Sequence, residues 1–279
     1  MAFKDVKRQG ETTIVKVYGF GECKKIKLIR MRSVRTSGLE LEDDICRGLN
    51  DVKLDESIIR AKNRIFELSY CNPWDYFFTG TLDKSKYDRT DLSKFHKDFT
   101  QLLRDQGRRL CVKLDFLLVP ELHSDGVSWH MHGFIRGLPR SELQQFIIGD
   151  KMSSYLADKV RAGEEIYNWP KYAAKFGFCD LEPIKNHEAV SKYVTKYINK
   201  GLANCVKDLN AHVYYHSRGL KSAELVAQGT ALFGSDTFKT DFECDYASIS
   251  WLPYDDTLVE AFKDAIITLD PRERFGDYD

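Results

Sequence analysis

The dipeptide Asp125-Gly126 constrains the fold of this chain more than any other feature. It lies between two segments rich in apolar and β-branched residues, 111–121 and 128–136. Asp-Gly flanked in this way is typical of a two-residue type I′ turn that joins adjacent antiparallel strands. The sequence therefore predicts a β-hairpin, and a hairpin of fixed loop length also fixes which residues pair across it.

Strand and helix patterns alternate on both sides of the hairpin. Aromatic and β-branched residues predict further strands at 76–82, 177–184 and 212–216. Apolar residues at helical spacing predict the helices 56–68, 91–104 (with Thr90 or Asp91 as N-cap), 141–148 and 186–200. Helices interleaved with strands that include a tight hairpin indicate an α+β fold, with helices over a mainly antiparallel sheet.

The chain divides by pattern into three segments. Residues 1–70 form an N-terminal extension, in which 24–35 holds six Lys and Arg and no acid. Residues 71–221 contain the alternating elements, and 222–279 contain an amphipathic helix followed by an acidic tail.

Charge is distributed unevenly along the chain, although the 42 Lys and Arg balance the 42 Asp and Glu. Residues 236–279 contain twelve acids against four bases, so the rest of the chain carries a net charge of +8. This asymmetry suits a basic surface for nucleic acid together with an acidic tail. A solvated charged face is the alternative interpretation of the basic run.

Several protein classes are excluded by composition. No run of eighteen apolar residues predicts a transmembrane helix, and the first residues lack the apolar core of a secretory signal. The seven cysteines are dispersed without a CxxC pair, which indicates reduced thiols in a cytoplasm and argues against a structural zinc site. We therefore expect a cytoplasmic protein with no membrane partner.

The segment Trp129-His130-Met131-His132-Gly133 indicates a metal site. Side chains alternate along a strand, so His130 and His132 point to the same face. Two adjacent imidazoles are suited to bind a metal. Two histidines on a solvent-facing strand are the alternative.

The predicted hairpin register adds a carboxylate to this pair. With Asp125-Gly126 as the loop, Glu121 pairs with His130, at roughly 5 Å between Cβ atoms, and His132 lies on the diagonal. His123 lies on the same face as a candidate fourth ligand or supporting group. A His-His-Glu set with open positions favours Mn²⁺ or Mg²⁺, with zinc as an alternative.

The helix predicted at 186–200 carries a second constellation. Tyr193 and Tyr197 are four residues apart and share one face, and Lys196 and Lys200 each follow a tyrosine by three residues. In one interpretation the tyrosines cover the core and the lysines are solvated. In the other the tyrosines are a pair of nucleophiles. Because a phenol has a pKa near ~10, attack at neutral pH would need assistance from the lysines and a metal.

These motifs together resemble the HUH endonucleases, in which a histidine–hydrophobic–histidine strand faces a tyrosine helix. Met131 occupies the hydrophobic position, and residues 77–82 (Phe-Phe-Thr-Gly-Thr-Leu) are similar to the first motif of that family. The two tyrosines are similar to those of rolling-circle initiators of small single-stranded DNA phages and related plasmids. The resemblance covers about residues 70–220 and implies an RRM-like palm with a central antiparallel sheet and flanking helices.

The resemblance implies a function, with Glu121 as the acidic third ligand. Such a protein nicks and rejoins single-stranded DNA at an origin by metal-assisted transesterification, through a 5′-phosphotyrosine intermediate, in the cytoplasm of a bacterial host. A host polymerase would extend the free 3′-hydroxyl. The sequence has no GxxxxGK[ST] motif, so unwinding would fall to a host helicase.

Two other functions are compatible with the same residues. A non-catalytic nucleic-acid-binding module would use His130 and His132 structurally and bind DNA without a covalent product. A metal-dependent hydrolase would activate water and cleave DNA without linking it to the protein.

Overall fold

The computed structural model describes residues 12–31, 45–123, 125–200, 214–231, 233, 237–244 and 247–267, with side chains described in these ranges except at 45–57, 195–200, 244 and 267. The chain separates into two compact units. One contains residues 45–221, and the other combines 1–44 with 222–279.

The unit of residues 45–221 contains an antiparallel sheet of seven described strands in the order β6-β7-β8-β3-β5-β4-β9. Its elements are α1 (Ile45–Tyr70), β3 (Tyr76–Thr81), α2 (Leu92–Leu110), β4 (Asp115–Leu122), β5 (Trp129–Arg136), a 3₁₀ helix (Arg140–Glu142), β6 (Gln144–Gln145), α3 (Ser154–Arg161), β7 (Tyr167–Asn168), α4 (Pro170–Lys175), β8 (Cys179–Pro183), α5 (His187–Lys200) and β9 (Tyr215–His216).

Both faces of the central strands are covered, because alternate residues of each strand enter different cores. On one face, Phe78 of β3 and Met131 of β5 pack with Phe99 of α2. On the other, Phe77 and Phe134 pack in a core that includes residues of α1 and α5. The sheet thus lies between two helical layers, and the predicted α+β class with a central antiparallel sheet and flanking helices is confirmed.

Most predicted elements of this unit appear near their expected bounds. Asp91, one of the two predicted caps, is the N-cap of α2, and its side chain accepts from the Lys94 amide at 2.8 Å. The helix predicted at 141–148 is wrong. Its apolar residues have helical spacing, but the chain instead forms the 3₁₀ turn and the short strand β6, and the Phe146 amide donates to the Ile166 carbonyl at 2.9 Å.

The second unit contains an antiparallel sheet of six described strands in the order β11-β12-β2-β1-β10-β13. Its elements are β1 (Thr12–Phe20), β2 (Cys23–Met31), β10 (Glu224–Ala231), β11 (Phe242–Cys244), β12 (Ala247–Pro253), α6 (Asp256–Ala265) and β13 (Ile266–Ile267). The apolar face of α6 packs on this sheet, with Val259 and Phe262 buried against residues such as Val15 and Leu28.

This division differs from the three segments expected from the sequence. The helix α1 lies within the expected extension 1–70 but belongs to the unit of residues 45–221, because it packs on α5. The strands at the two ends of the chain share one sheet. Of the predicted basic run, residues 32–35 lie outside the described residues, as does the acidic tail from 268 onwards. Within the ranges described, no helix has the length and apolar character needed to cross a membrane.

Candidate active site

The β4–β5 hairpin positions the two histidines, and Asp125 holds its loop. The Asp125 carboxylate accepts from the Ser128 amide at 2.8 Å and from the Ser128 hydroxyl at 2.6 Å. The Gly126 amide donates to the His123 carbonyl at 2.9 Å, and the His123 amide donates to the Ser128 carbonyl at 2.7 Å. Four residues therefore separate His123 from Ser128, and the predicted two-residue loop is wrong.

The turn type differs for the same reason. A type I′ turn needs positive φ at both central residues. Gly126 has a φ of 71°, but Asp125 does not have a positive φ, since Cys111 is the one such non-glycine residue in the described part of the chain. The predicted register nevertheless holds: Glu121 lies opposite His130.

Four strands arrange the site residues in rows across one face of the sheet, which we call the site face. One row, from β8 to β4, is Asp180, Thr79, His132 and Val119. The next row towards the open end of β5 contains Thr81, His130 and Glu121. The row on the other side contains Glu182, Phe77, Phe134 and Leu117.

The imidazoles and the carboxylate lie together on this face. The rings of His130 and His132 are nearly parallel, with centroids 6.5 Å apart. Glu121 Oε2 lies 2.9 Å from His132 Nε2, so the carboxylate reaches the histidine on the diagonal. His123 stacks on His130 with ring centroids 4.9 Å apart. Burial, followed by the neighbouring His123 and His132, lowers the pKa of His130, which favours the neutral ring that binds metals.

The fit of this set to a metal ion is good in residue type and in sheet position. The donor atoms do not converge, however: His130 Nδ1 lies 3.5 Å from Thr81 Oγ1, while Glu121 is turned towards His132. Across the described residues, no three His, Cys, Asp or Glu side chains are arranged to hold a metal ion. Binding through all three predicted ligands therefore requires side-chain rotation.

Tyr193 lies over the same face. It extends from α5, whose Val194 is buried in the core formed with β4 and β5. Its ring meets that of Phe77 edge to face, with centroids 5.6 Å apart, and it is 41% exposed. The three other predicted residues of α5, Tyr197, Lys196 and Lys200, lie in the helix, but their side chains are outside those described.

A cavity of about 1130 Å³ opens over the site face. Its lining includes His130, His132 and Tyr193, which are far apart in the sequence, together with Thr79 and Asp180. This volume exceeds the upper end of the ~300–1,000 Å³ usual for ligand pockets. It therefore has room for an extended ligand that reaches beyond the histidines.

Asp180 is a site residue that the sequence interpretation missed. It is 6% exposed, and burial raises its pKa to about 7, assisted by the nearby Glu182 and opposed by a hydrogen bond with Thr79 and by Lys159. A buried carboxyl group with such a pKa at a cavity wall is a candidate functional group. The available signal was the alternation of Asp180 and Glu182 with Cys179 and Leu181, which puts both acids on one face of a predicted strand.

The described geometry thus defines an α+β domain with a His-Met-His strand facing a helix that carries a tyrosine. Residues 75–202, a little under half of the chain, match a family model of replication-associated proteins, described by its ORF2 member. The match includes every predicted site residue and confirms the expected similarity to replication-associated proteins. Neither the comparison with curated proteins nor that with solved structures found a match.

Proposed function

We propose that this protein is a rolling-circle replication initiator of the HUH type that nicks and rejoins single-stranded DNA through Tyr193 and Tyr197. The observation that carries the proposal is that Tyr193 and the pair His130 and His132 line one cavity on one face of the sheet. The match to replication-associated proteins supports a role in replication. Together they favour chemistry at a DNA phosphate over a purely structural histidine pair.

The proposed reaction exchanges one phosphodiester bond for another. The phenolic oxygen of Tyr193 or Tyr197 forms a bond to the scissile phosphorus, and the bond from phosphorus to the 3′ oxygen breaks. The phenolic proton passes to a base, for which Asp180 is suited because its pKa is about 7. The departing oxygen takes up a proton from solvent and becomes the 3′-hydroxyl.

The second tyrosine gives the reaction its return step. While one phenol remains esterified to the DNA 5′ end, the other attacks the regenerated origin junction. The first ester is then displaced by the free 3′-hydroxyl, which closes a circle. Lys196 and Lys200 neutralise the phosphate during these transfers.

His130, His132 and Glu121 are the residues that would hold a divalent ion, Mn²⁺ or Mg²⁺. When bound there, such an ion supplies a Lewis acid for the scissile phosphate. The lowered pKa of His130 keeps this imidazole available as a ligand near neutral pH. The partners of the reaction are the single-stranded origin, a host helicase that unwinds the duplex and a polymerase that extends the 3′-hydroxyl.

A covalent-adduct assay tests the proposal. Labelled single-stranded oligonucleotides that tile the replicon encoding this protein are incubated with the full chain and Mn²⁺, then separated on a denaturing gel. We expect a labelled band at the mass of the protein that disappears with EDTA and in Tyr193→Phe plus Tyr197→Phe. Tyr254→Phe, an equally conservative change in the other unit, is the control and should retain the band.

Each other outcome identifies a different protein. Cleavage without an adduct would assign a metal-dependent hydrolase that uses water. Chelator-insensitive DNA binding without cleavage would assign a non-catalytic binding module. A full-strength adduct in the double tyrosine variant would refute the assignment of these nucleophiles.

A further inference from the structure

The cavity continues beyond the site face to a second group of residues that the proposed reaction does not use. At this end the lining comes from α3 and from the segments before α3 and before β8. It includes two exposed aromatic rings, Tyr155 at 62% and Phe178 at 37% exposure. Exposed apolar groups gathered in a cavity indicate a binding surface more often than a packing defect.

Both rings are supported on one side by other side chains. Phe178 stacks on Phe146, which is buried, with ring centroids 5.7 Å apart at an interplanar angle of 30°. The ammonium group of Lys159 lies 4.9 Å from the centroid of the Tyr155 ring. Each ring therefore has a fixed neighbour and an exposed part, the arrangement required of a platform on which a flat ligand stacks.

This end of the cavity is connected to the site face through specific contacts. The Thr81 amide donates to the Phe178 carbonyl at 2.8 Å, and Thr81 lies directly opposite His130. Two strand spacings of about 4.8 Å thus separate the backbone near Phe178 from that of His130. Lys159 also pairs with Glu182, which lies opposite Phe77 beneath Tyr193.

Charge at this end suits a polyanion that also carries flat rings. Lys86 and Lys151 line it together with the aromatic residues. Asp83 lines it too, but its carboxylate accepts from the Ser85 amide at 2.9 Å and from the Ser85 hydroxyl at 2.8 Å. Aromatic rings for bases and lysines for phosphates are the usual components of a single-stranded nucleic-acid groove.

We propose that Tyr155 and Phe178 form a base-stacking subsite for the single strand that flanks the scissile phosphate. This inference rests on the proposed function, since it takes the same DNA strand as its ligand. Stacking tolerates any base, so the subsite contributes affinity and register along the strand with little sequence preference. Lys86 and Lys151 contact the phosphates beside the stacked bases.

Equilibrium binding in EDTA tests the subsite without cleavage. Fluorescence anisotropy measures the affinity of the full chain for a labelled single strand that contains the nicking position, and for a series with one abasic nucleotide at each position. We expect Tyr155→Leu and Phe178→Leu each to weaken binding about 5- to 100-fold, the range for loss of one stacked base. Tyr155→Phe should restore affinity, and Phe242→Leu, which alters an exposed ring in the other unit, should leave it unchanged.

A double-mutant cycle identifies the stacked nucleotide. One abasic position should weaken wild-type binding strongly and Tyr155→Leu binding hardly further, because both changes remove the same contact. Losses that add at every position, or unchanged affinity in both leucine variants, would overturn the subsite. If adducts still form in those variants, the proposed function stands alone. If stacking is found but the wild-type chain forms no adduct, the subsite stands and the nuclease assignment falls.

Discussion

Asp180 carries a buried carboxyl group whose ionisation should destabilise the folded chain. Burial is the first cause of its raised pKa, and the nearby Glu182 acts in the same direction. The pKa rises from 3.8 to about 7 on folding. Below pH 3.8 the group is protonated in both states, so the full stability is present there. Between pH 3.8 and about 7 the unfolded chain ionises first, and stability is lost as the pH rises through this window.

The size of the effect follows from the shift. Each pKa unit corresponds to about 1.36 kcal/mol, so a shift of about three units corresponds to about 4 kcal/mol. Asp180→Asn removes the titration while preserving shape. Relative to the wild type, the variant should gain about 4 kcal/mol between pH 4 and pH 7 and no more above about pH 8.

Urea unfolding at a series of pH values in EDTA measures this difference, with tryptophan fluorescence as the signal. The control is Asp158→Asn, since Asp158 lies on α3 of the same unit with a side chain that is 74% exposed. Its stability difference from wild type should stay flat across the same pH range. If the Asp180→Asn difference were equally flat, the carboxyl group would not be shifted and our account of its burial would be wrong.

The same substitution should affect nicking in the opposite direction. Asp180→Asn removes the group proposed to take the phenolic proton, so the variant should be more stable but less active at neutral pH. Active sites commonly hold groups that destabilise the fold. Full nicking by a stabilised Asn variant would assign Asp180 no part in proton transfer.

Three further predictions concern backbone, metal and thiols. Gly177→Ala should destabilise the chain by at least about 1–3 kcal/mol in urea unfolding, because its φ is +141° and an added Cβ would lie 2.6 Å from backbone at the end of β3; Gly163→Ala, at φ +82° with nothing within 4 Å, should have a smaller effect, and equal effects would exclude the steric reason. His132→Ala should abolish the calorimetric signal of Mn²⁺ binding, and unchanged binding would remove this residue from the ligand set. Iodoacetamide should label the exposed Cys111 in the native chain but label Cys179 only in urea, because burial raises the pKa of the Cys179 thiol to about 12; mass spectrometry reads the pattern, and native labelling of Cys179 would contradict it.

The hairpin shows why the sequence located the histidine site despite a wrong turn. Four loop residues between His123 and Ser128 replace the predicted two, but both loops contain an even number. Because side chains alternate with a period of two, an even change preserves which face each residue occupies. Glu121 therefore stays opposite His130. What a local pattern determines here is the parity of the register, and the site depends on parity alone.

Features that depend on distant pairing were beyond the sequence pattern. Asp180 becomes part of the site because β8 pairs with β3, about a hundred residues earlier in the chain. The sheet of the smaller unit pairs β1 with β10 and β2 with β12. Neither pairing leaves a periodic signal in the strands themselves. The tyrosine helix was predictable because its amphipathic spacing is local, whereas the ring that Tyr193 contacts, Phe77, was not.

The pairing of β1 and β2 with strands from the far end of the chain has a consequence for synthesis. The hairpin of β1 and β2 leaves the ribosome first, yet its outer neighbours, β10 and β12, emerge only after residue 221. During that interval both edges of the hairpin lack their partners, whereas the contiguous segment 45–221 can complete its own sheet. Truncation after residue 221 would therefore leave the hairpin without its neighbours while sparing the segment that contains the histidines and the tyrosines.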